Sequence, residues 1–340
     1  MKKSFKCISL MLSSLLILGC GSTAFSAATV EDNESVKAIY EKIEKGRTVL
    51  YDENNNEIPV EKLNDDTENI NKKLPQKYDL RDYGRVSKVK NQGSEGYCWA
   101  FASVASMESS ILSQNDLKSK LGENPQDTID LSEAGQTWYI HSGIVDKSSP
   151  FYGDYIDDSS KGSNGGTSDT LAISLNSGFG TYPQSLCPYN EVKKGFSETL
   201  RYYSDYRLKD YSEISNNKDT LKSKIVSNGA VTVYYPNITD CYSSDYANYY
   251  SDNTCIGIGD SHLIVVVGWD DNYSKDNFTG KVKPSNDGAW LCKNSWGEHY
   301  GNDGYIWISY DSTNLAFSQF IIQDNNAYDN EYQNCFVTQG

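Results

Sequence analysis

The chain has 340 residues, 38% of them hydrophobic, with 46 acidic against 31 basic side chains and a formal net charge of −15. That is enough apolar material for one large domain or for two lobes with their own cores. The acidic balance, without clustered Lys and Arg, argues against a nucleic-acid partner, whose phosphates need a basic surface.

The first residues read as an export signal. MKKSFK is cationic, and the run CISLMLSSLLILG at 7–19 is mostly apolar. It falls short of the ~20 residues that a transmembrane helix needs. Small residues at 24–28 (AFSAA) suit a signal peptidase, so 1–28 is assigned as a signal peptide. Simple cleavage is preferred over the alternative in which Cys20 of ILGC becomes a lipidated N-terminus. Either way the product is expected to be secreted or held at a bacterial cell surface. No later run is long enough to be a transmembrane segment; Leu263–Val267 is strand-sized. Residues 29–73 are polar, with helical spacing only at Val36, Ile39, Tyr40 and Ile43, and the texture changes near Lys73.

From residue 74 the spacing of Phe101, Val104, Met107 and Ile111 predicts a helix. A second is expected over Ser132–His141, capped by Asp130–Ser132, and a third over Ser168–Ser177, ended by Gly178. Past Thr220, strands are expected at 230–235, 262–269, 288–296, 304–310 and 317–323, each bounded by Gly, Asn or Asp clusters. Helices followed by strands imply an α+β protein with a helical lobe at about 74–205 and a β lobe at about 206–325.

The chemistry gathers in a few short stretches. In NQGSEGYCWAFAS (91–103), Cys98 stands at the start of the first helix, where free backbone N–H groups and the helix dipole favour thiolate over thiol. An activated thiol also needs a base. Of the three histidines, His262 opens the apolar strand HLIVVVGWD, while His141 and His299 suit surface roles. Asn294, in KNSWG, is the candidate to orient the imidazole, with Trp296 roofing that contact. Gln92 and the Cys98 N–H are candidate donors to an oxyanion. Cys241 and Cys255 bracket a Tyr/Ser/Asp-rich loop that a disulfide between them would close, which export permits without requiring. Cys292 reads as a buried free thiol.

These stretches together resemble the papain family of cysteine peptidases. The cysteine block is VKNQGSEGYCWAFA (89–102), the histidine block SHLIVVVGWD (261–270), and the asparagine block WLCKNSWGEHYGNDGYIWISY (290–310). LSEAG (131–135) and SNGG (163–166) match two further blocks, and the resemblance covers roughly residues 75–323. It implies a papain-like two-lobed fold, with a β-barrel-like second lobe and the site in the cleft between lobes. Cys98 would be the nucleophile, His262 the base, Asn294 the orienting residue and Gln92 the oxyanion donor. Gly165 and Gly166 would bind substrate backbone, and Trp99 and Trp296 would shield the site.

The departures are specific. Glu95 and Ser163 stand where the family pairs two cysteines, and Tyr97 replaces a small residue. The histidine-to-asparagine gap is lengthened by 270–288, which reads as a solvated surface loop. Such departures resemble the clostridial surface and secreted branch. The implied protein is a zymogen whose 29–73 segment is a propeptide and inhibitor of the 74–340 peptidase domain, a monomer acting on protein or peptide substrates without cofactor or metal. Acyl transfer to an amine, or a non-catalytic peptide-binding cleft, are the alternative uses of the same residues.

Overall fold

Ser and Ala are the commonest residues in the stretch after Tyr97, with no Gly or Pro to interrupt it, and it forms helix α1, Cys98–Ser113. The computed structural model describes residues 50–51, 57–58, 74–142, 147, 165–255 and 261–325. The chain divides into two units, Met1–Lys73 and Leu74–Gly340. In the first, the described residues form a two-stranded antiparallel ladder, β1 (Leu50–Tyr51) with β2 (Glu57–Ile58). The signal sequence, the 34–45 helical pattern, Ser163 and Cys335 lie outside the described residues.

In the second unit, α1 is buried on almost every side. Its Val104, Met107 and Ile111 pack with Ile140, Leu171 and Leu175 in the helical core. Two of its serines meet backbone partners: Ser106 Oγ donates to the Ala230 carbonyl (2.8 Å) and Ser109 Oγ to that of Arg85 (2.7 Å). Buried hydroxyls satisfied in this way do not oppose the packing. Helix α2 (Glu133–His141) is capped by Ser132, whose Oγ accepts from the Gly135 N–H at 2.9 Å. Helix α3 (Ser168–Asn176) is capped by Thr167 and ends one residue before the expected Ser177.

The sheet contains β3 (Lys77–Asp79), β4 (Tyr206–Ile214), β5 (Val231–Pro236), β6 (Asn248–Tyr249), β7 (Ser261–Asp270), β8 (Ala289–Lys293), β9 (Tyr305–Ser309) and β10 (Ala316–Asp324). The order is β4–β10–β5–β7–β8–β9–β6, with β3 added against β7. Every pairing is antiparallel except β6 with β9. Helices lead and strands follow, giving the expected α+β two-lobed architecture.

Several elements were not anticipated. Strands β3 and β6 are very short, and β4 (YRLKDYSEI) buries only Leu208 and Ile214 at an edge of the sheet. Helix α4 (Lys218–Asn228), capped by Asn217, is anchored chiefly by Leu221 and Ile225 on an otherwise polar sequence. The expected 288–296 strand ends early, at Lys293. The 270–288 loop is mostly exposed but is pinned by Phe278, which is buried beside Tyr250 and Ala289.

The two cores meet along α1. One, under the central strands, holds Val231, Val233, Ile264 to Val267, Leu291 and Ile306. The other holds the α1 ridge together with Leu208, Phe320 and Ile322, so β4 and the far half of β10 complete the helical core.

Candidate active site

Cys98 occupies the first turn of α1, the place set by its sequence position after the glycine-rich loop. Hydrogen bonds from the backbone N–H groups of Leu263, Trp99 and Cys98 itself favour its thiolate, while burial, the larger influence, pushes the thiol up. The Leu263 contact matters geometrically, because it brings the sulfur to the residue that follows His262.

His262 lies near the start of β7, opposite Tyr235 of β5. Its Nε2 is 2.9 Å from Asn294 Oδ1. The amide oxygen carries no proton, so in the neutral ring Nε2–H is the donor and the Nδ1 lone pair is left for another partner. Burial lowers the His262 pKa to about 4, and the Asn294 bond pulls it the other way. Charge on either Cys98 or His262 alone is therefore opposed by desolvation; opposite charges on both relieve each other.

The register explains how residues 32 apart meet. Val265 of β7 pairs Lys293, the last residue of β8. Continuing that antiparallel alignment sets Asn294 and Trp296 on the same face as His262. Trp296 stacks on the imidazole, with ring centroids 4.3 Å apart and planes at 15°. Tyr235 meets the ring edge-on at 5.7 Å.

Gln92 is tied to the same strand end. Its N–H donates to the Ser295 carbonyl (2.8 Å), and its Oε1 accepts from Ser295 Oγ (2.6 Å). Its Nε2 donates to the Glu95 carbonyl (2.8 Å), which leaves the second amide hydrogen free of that bond. The Ser295 N–H in turn donates to Asn294 Oδ1 (2.7 Å). Contacts thus run from Gln92 through Ser295 and Asn294 to His262, and the backbone of the next residue, Leu263, meets the sulfur of Cys98.

Gly165 has φ +104°, a conformation that favours glycine, and a Cβ there would meet nothing. A Cβ on Gly166 would come within 2.5 Å of the Trp99 ring, so a side chain is excluded there. Trp99 is fully buried in the helical core. His299 is exposed as expected. His141 is not: it is 3% exposed, with Trp99 edge-on at 5.9 Å, because α2 turns its last residue toward α1. Among the described residues no group of three or more His, Cys, Asp or Glu is disposed to hold a metal.

Behind the site lies a buried ionic cluster that the motifs did not announce. Lys90 Nζ contacts Glu108 (2.9 Å), Glu133 (2.9 Å) and Asp130 (2.8 Å). Lys293 Nζ donates to the Ser87 carbonyl and hydroxyl, each at 2.9 Å, and Ser87 Oγ donates to Glu108 Oε2 at 2.5 Å. Burial pushes the Glu108 carboxyl up, but Lys90 and Lys293 overcome it and hold it below the usual carboxylate range. Burial raises Glu133 to about 7 against the pull of Lys90, and lowers Lys293 to about 8 against that of Glu108. The available signal was a lysine shortly before each site amide, together with a glutamate inside the apolar helix.

The profile of the papain family of cysteine proteases matches residues 74–328. Bovine cathepsin S is 31% identical over 72% of this chain and 62% of its own length. Rat procathepsin L is 27% identical over 71% of this chain and 62% of its own. The match thus spans about three fifths of these relatives. Among solved structures, the clostridial cysteine protease Cwp84 after propeptide cleavage superposes with a TM-score of 0.60 at 27% identity, covering 73% of this chain and 58% of that one. A structure of the protease and lectin-like domains of Cwp84, a surface-layer-associated protein of Clostridium difficile, gives 0.58 at 27% identity, covering 74% and 53%. Procathepsin L2 of Tenebrio molitor shares the fold, with a TM-score of 0.52 at 22% identity over 84% of this chain and 90% of that one.

Proposed function

The chain belongs to the papain family of cysteine proteases, and from that premise we propose that it is an endopeptidase with Cys98 as nucleophile. The observation that carries this reading is the bond of Asn294 Oδ1 to His262 Nε2, with the backbone N–H of the next residue, Leu263, directed at the Cys98 sulfur. Transfer of the thiol proton to His262 Nδ1 creates a thiolate–imidazolium pair, each charge offsetting the desolvation of the other. The thiolate attacks the scissile carbonyl. The free Gln92 amide hydrogen and the Cys98 N–H donate to the developing oxyanion. His262 then gives its proton to the leaving amine, and a thioester remains. Water, deprotonated by His262, cleaves the thioester and returns the thiol. Asn294 holds the ring in the tautomer this cycle requires, with Trp296 over its face. Gly165 and Gly166 carry no side chain between Trp99 and an incoming peptide backbone.

The same reading makes 1–28 a signal peptide, 29–73 an inhibitory propeptide and 74–340 the peptidase domain. Secretion or surface location is supported by the apolar N-terminal run and by the likeness to Cwp84, itself described as surface-layer-associated. Among the described residues no helix is long and apolar enough to cross a membrane.

The test is the alkylation rate of Cys98 near pH 5.5 on protein trimmed of its prosegment, beside a His262→Ala control. An ordinary thiol, of pKa about 8.5, is almost wholly protonated there. Fast labelling lost in the variant is the expected result; slow labelling in both would sink the nucleophile assignment.

A further inference from the structure

The loop from Gln92 to Tyr97 has little to hold it from within. Gly93 and Ser94 are exposed, and its internal bonds are Tyr97 N–H to the Glu95 carbonyl (2.9 Å) and Gln92 Nε2 to that same oxygen (2.8 Å). The Glu95 carbonyl on Nε2 and Ser295 Oγ on Oε1 together set the direction of the Gln92 amide. Yet Glu95 is itself gripped from outside, by a segment far away in sequence.

That segment is the 3-10 turn Tyr189–Glu191 with Val192 and Lys193 after it. The Tyr189 hydroxyl donates to the Gln92 carbonyl at 2.5 Å. The Tyr189 ring sits edge-on to Tyr97 (6.1 Å, 83°) and Phe101 (5.0 Å, 86°), and Val192 completes this small apolar cluster with Ala134. Lys193 Nζ reaches Glu95 Oε1 at 2.6 Å. One turn thus holds the loop at its start through a phenol, at its middle through an ion pair, and at its end through ring packing beside Cys98.

We propose that Tyr189 and Lys193 are positioning residues for the oxyanion site, bracing the 92–97 loop so that the free hydrogen of the Gln92 amide points where the oxyanion forms. The inference rests on the peptidase reading given above. Its logic is that donors stabilise a transition state only if they are already oriented, and a loop free to rotate loses that advantage. The brace has two parts with different sensitivities. The phenol–carbonyl bond is shielded. The Lys193 side chain is 74% exposed and that of Glu95 25%, so their attraction is screened by salt.

Steady-state cleavage of a fluorogenic peptide panel by the protein after prosegment removal separates the outcomes. Tyr189→Phe keeps the ring and removes one hydroxyl; we expect kcat to fall roughly three- to tenfold with KM within about twofold, the sign of an interaction made only in the transition state. Lys193→Met, a surface change, should lower kcat about twofold at low salt and remove the decline of wild-type kcat with ionic strength. The exchanged pair, Glu95→Lys with Lys193→Glu, should restore both kcat and its salt dependence. Tyr189→Phe turning over like wild type, or an exchanged pair without rescue, would overturn the brace alone. A wild type that cleaves nothing would overturn the peptidase reading, and this inference with it.

Discussion

His262 Nε2 lies 2.9 Å from Asn294 Oδ1, and the same oxygen accepts the Ser295 N–H at 2.7 Å. The amide is thus fixed by its own strand end before it orients the imidazole. Asn294→Ala should leave Cys98 and His262 in place but release the ring, lowering kcat/KM on the order of 10- to 100-fold. Steady-state kinetics beside a urea unfolding curve checks this; a variant as active as wild type would contradict the orienting role.

The protonation of His262 should appear in stability as well as in rate. In Cys98→Ala protein, which lacks the thiolate, burial holds the His262 pKa at about 4, below its ordinary 6.5. The buried neutral ring then contributes stability in full above pH 6.5, and this contribution is lost as pH falls through 4. The shift corresponds to about 3 kcal/mol. Urea midpoints between pH 7.5 and 4 should fall more steeply for Cys98→Ala than for Cys98→Ala/His262→Gln.

Glu108 joins Lys90 and, through Ser87, Lys293. Glu108→Ala leaves two buried ammonium groups without their shared carboxylate, and we expect a loss of about 3–5 kcal/mol. Chemical denaturation measures it, and a loss below 1 kcal/mol would show that Glu133 and Asp130 suffice.

Gly166→Ala directs a methyl group into the Trp99 ring, 2.5 Å away by ideal geometry. Overpacking of this kind costs about 1–3 kcal/mol. Displacement of the 165–166 backbone should also raise KM for peptides more than it lowers kcat.

Cys241 and Cys255 are free thiols with their sulfurs 2.9 Å apart. Incubation with glutathione disulfide should join them, the two thiols being oxidised as one glutathione disulfide is reduced to two glutathione molecules. Intact mass should fall by about 2 Da, the two hydrogens lost, with both cysteines then resistant to alkylation. Continued labelling of both would show that the loop cannot close.

The candidates Cys98, His262 and Asn294 could be singled out in the sequence because each stands in a short block whose neighbours carry chemistry of their own. The strands around them were legible too, since β5, β7 and β9 are near-continuous apolar runs. Edge strand β4 and helix α4 were not, because each anchors itself with two or three apolar residues on a polar background. His141 was misjudged for a related reason: the polarity of α2 is visible in sequence, but the α1 ring it packs against is not. Tyr189 stands 97 residues from the carbonyl it holds, a pairing that no local pattern encodes.

Strand β10 comes after every other element of the sheet, yet its Phe320 and Ile322 fill the core beneath α1. A chain emerging from its N-terminus therefore has helix α1, which carries Cys98, synthesised more than two hundred residues before the wedge that seats it. Until that late segment arrives, the ridge of Val104, Met107 and Ile111 lacks part of its cover, and the helical core cannot close. The order of synthesis itself thus delays completion of the core around the helix that carries Cys98.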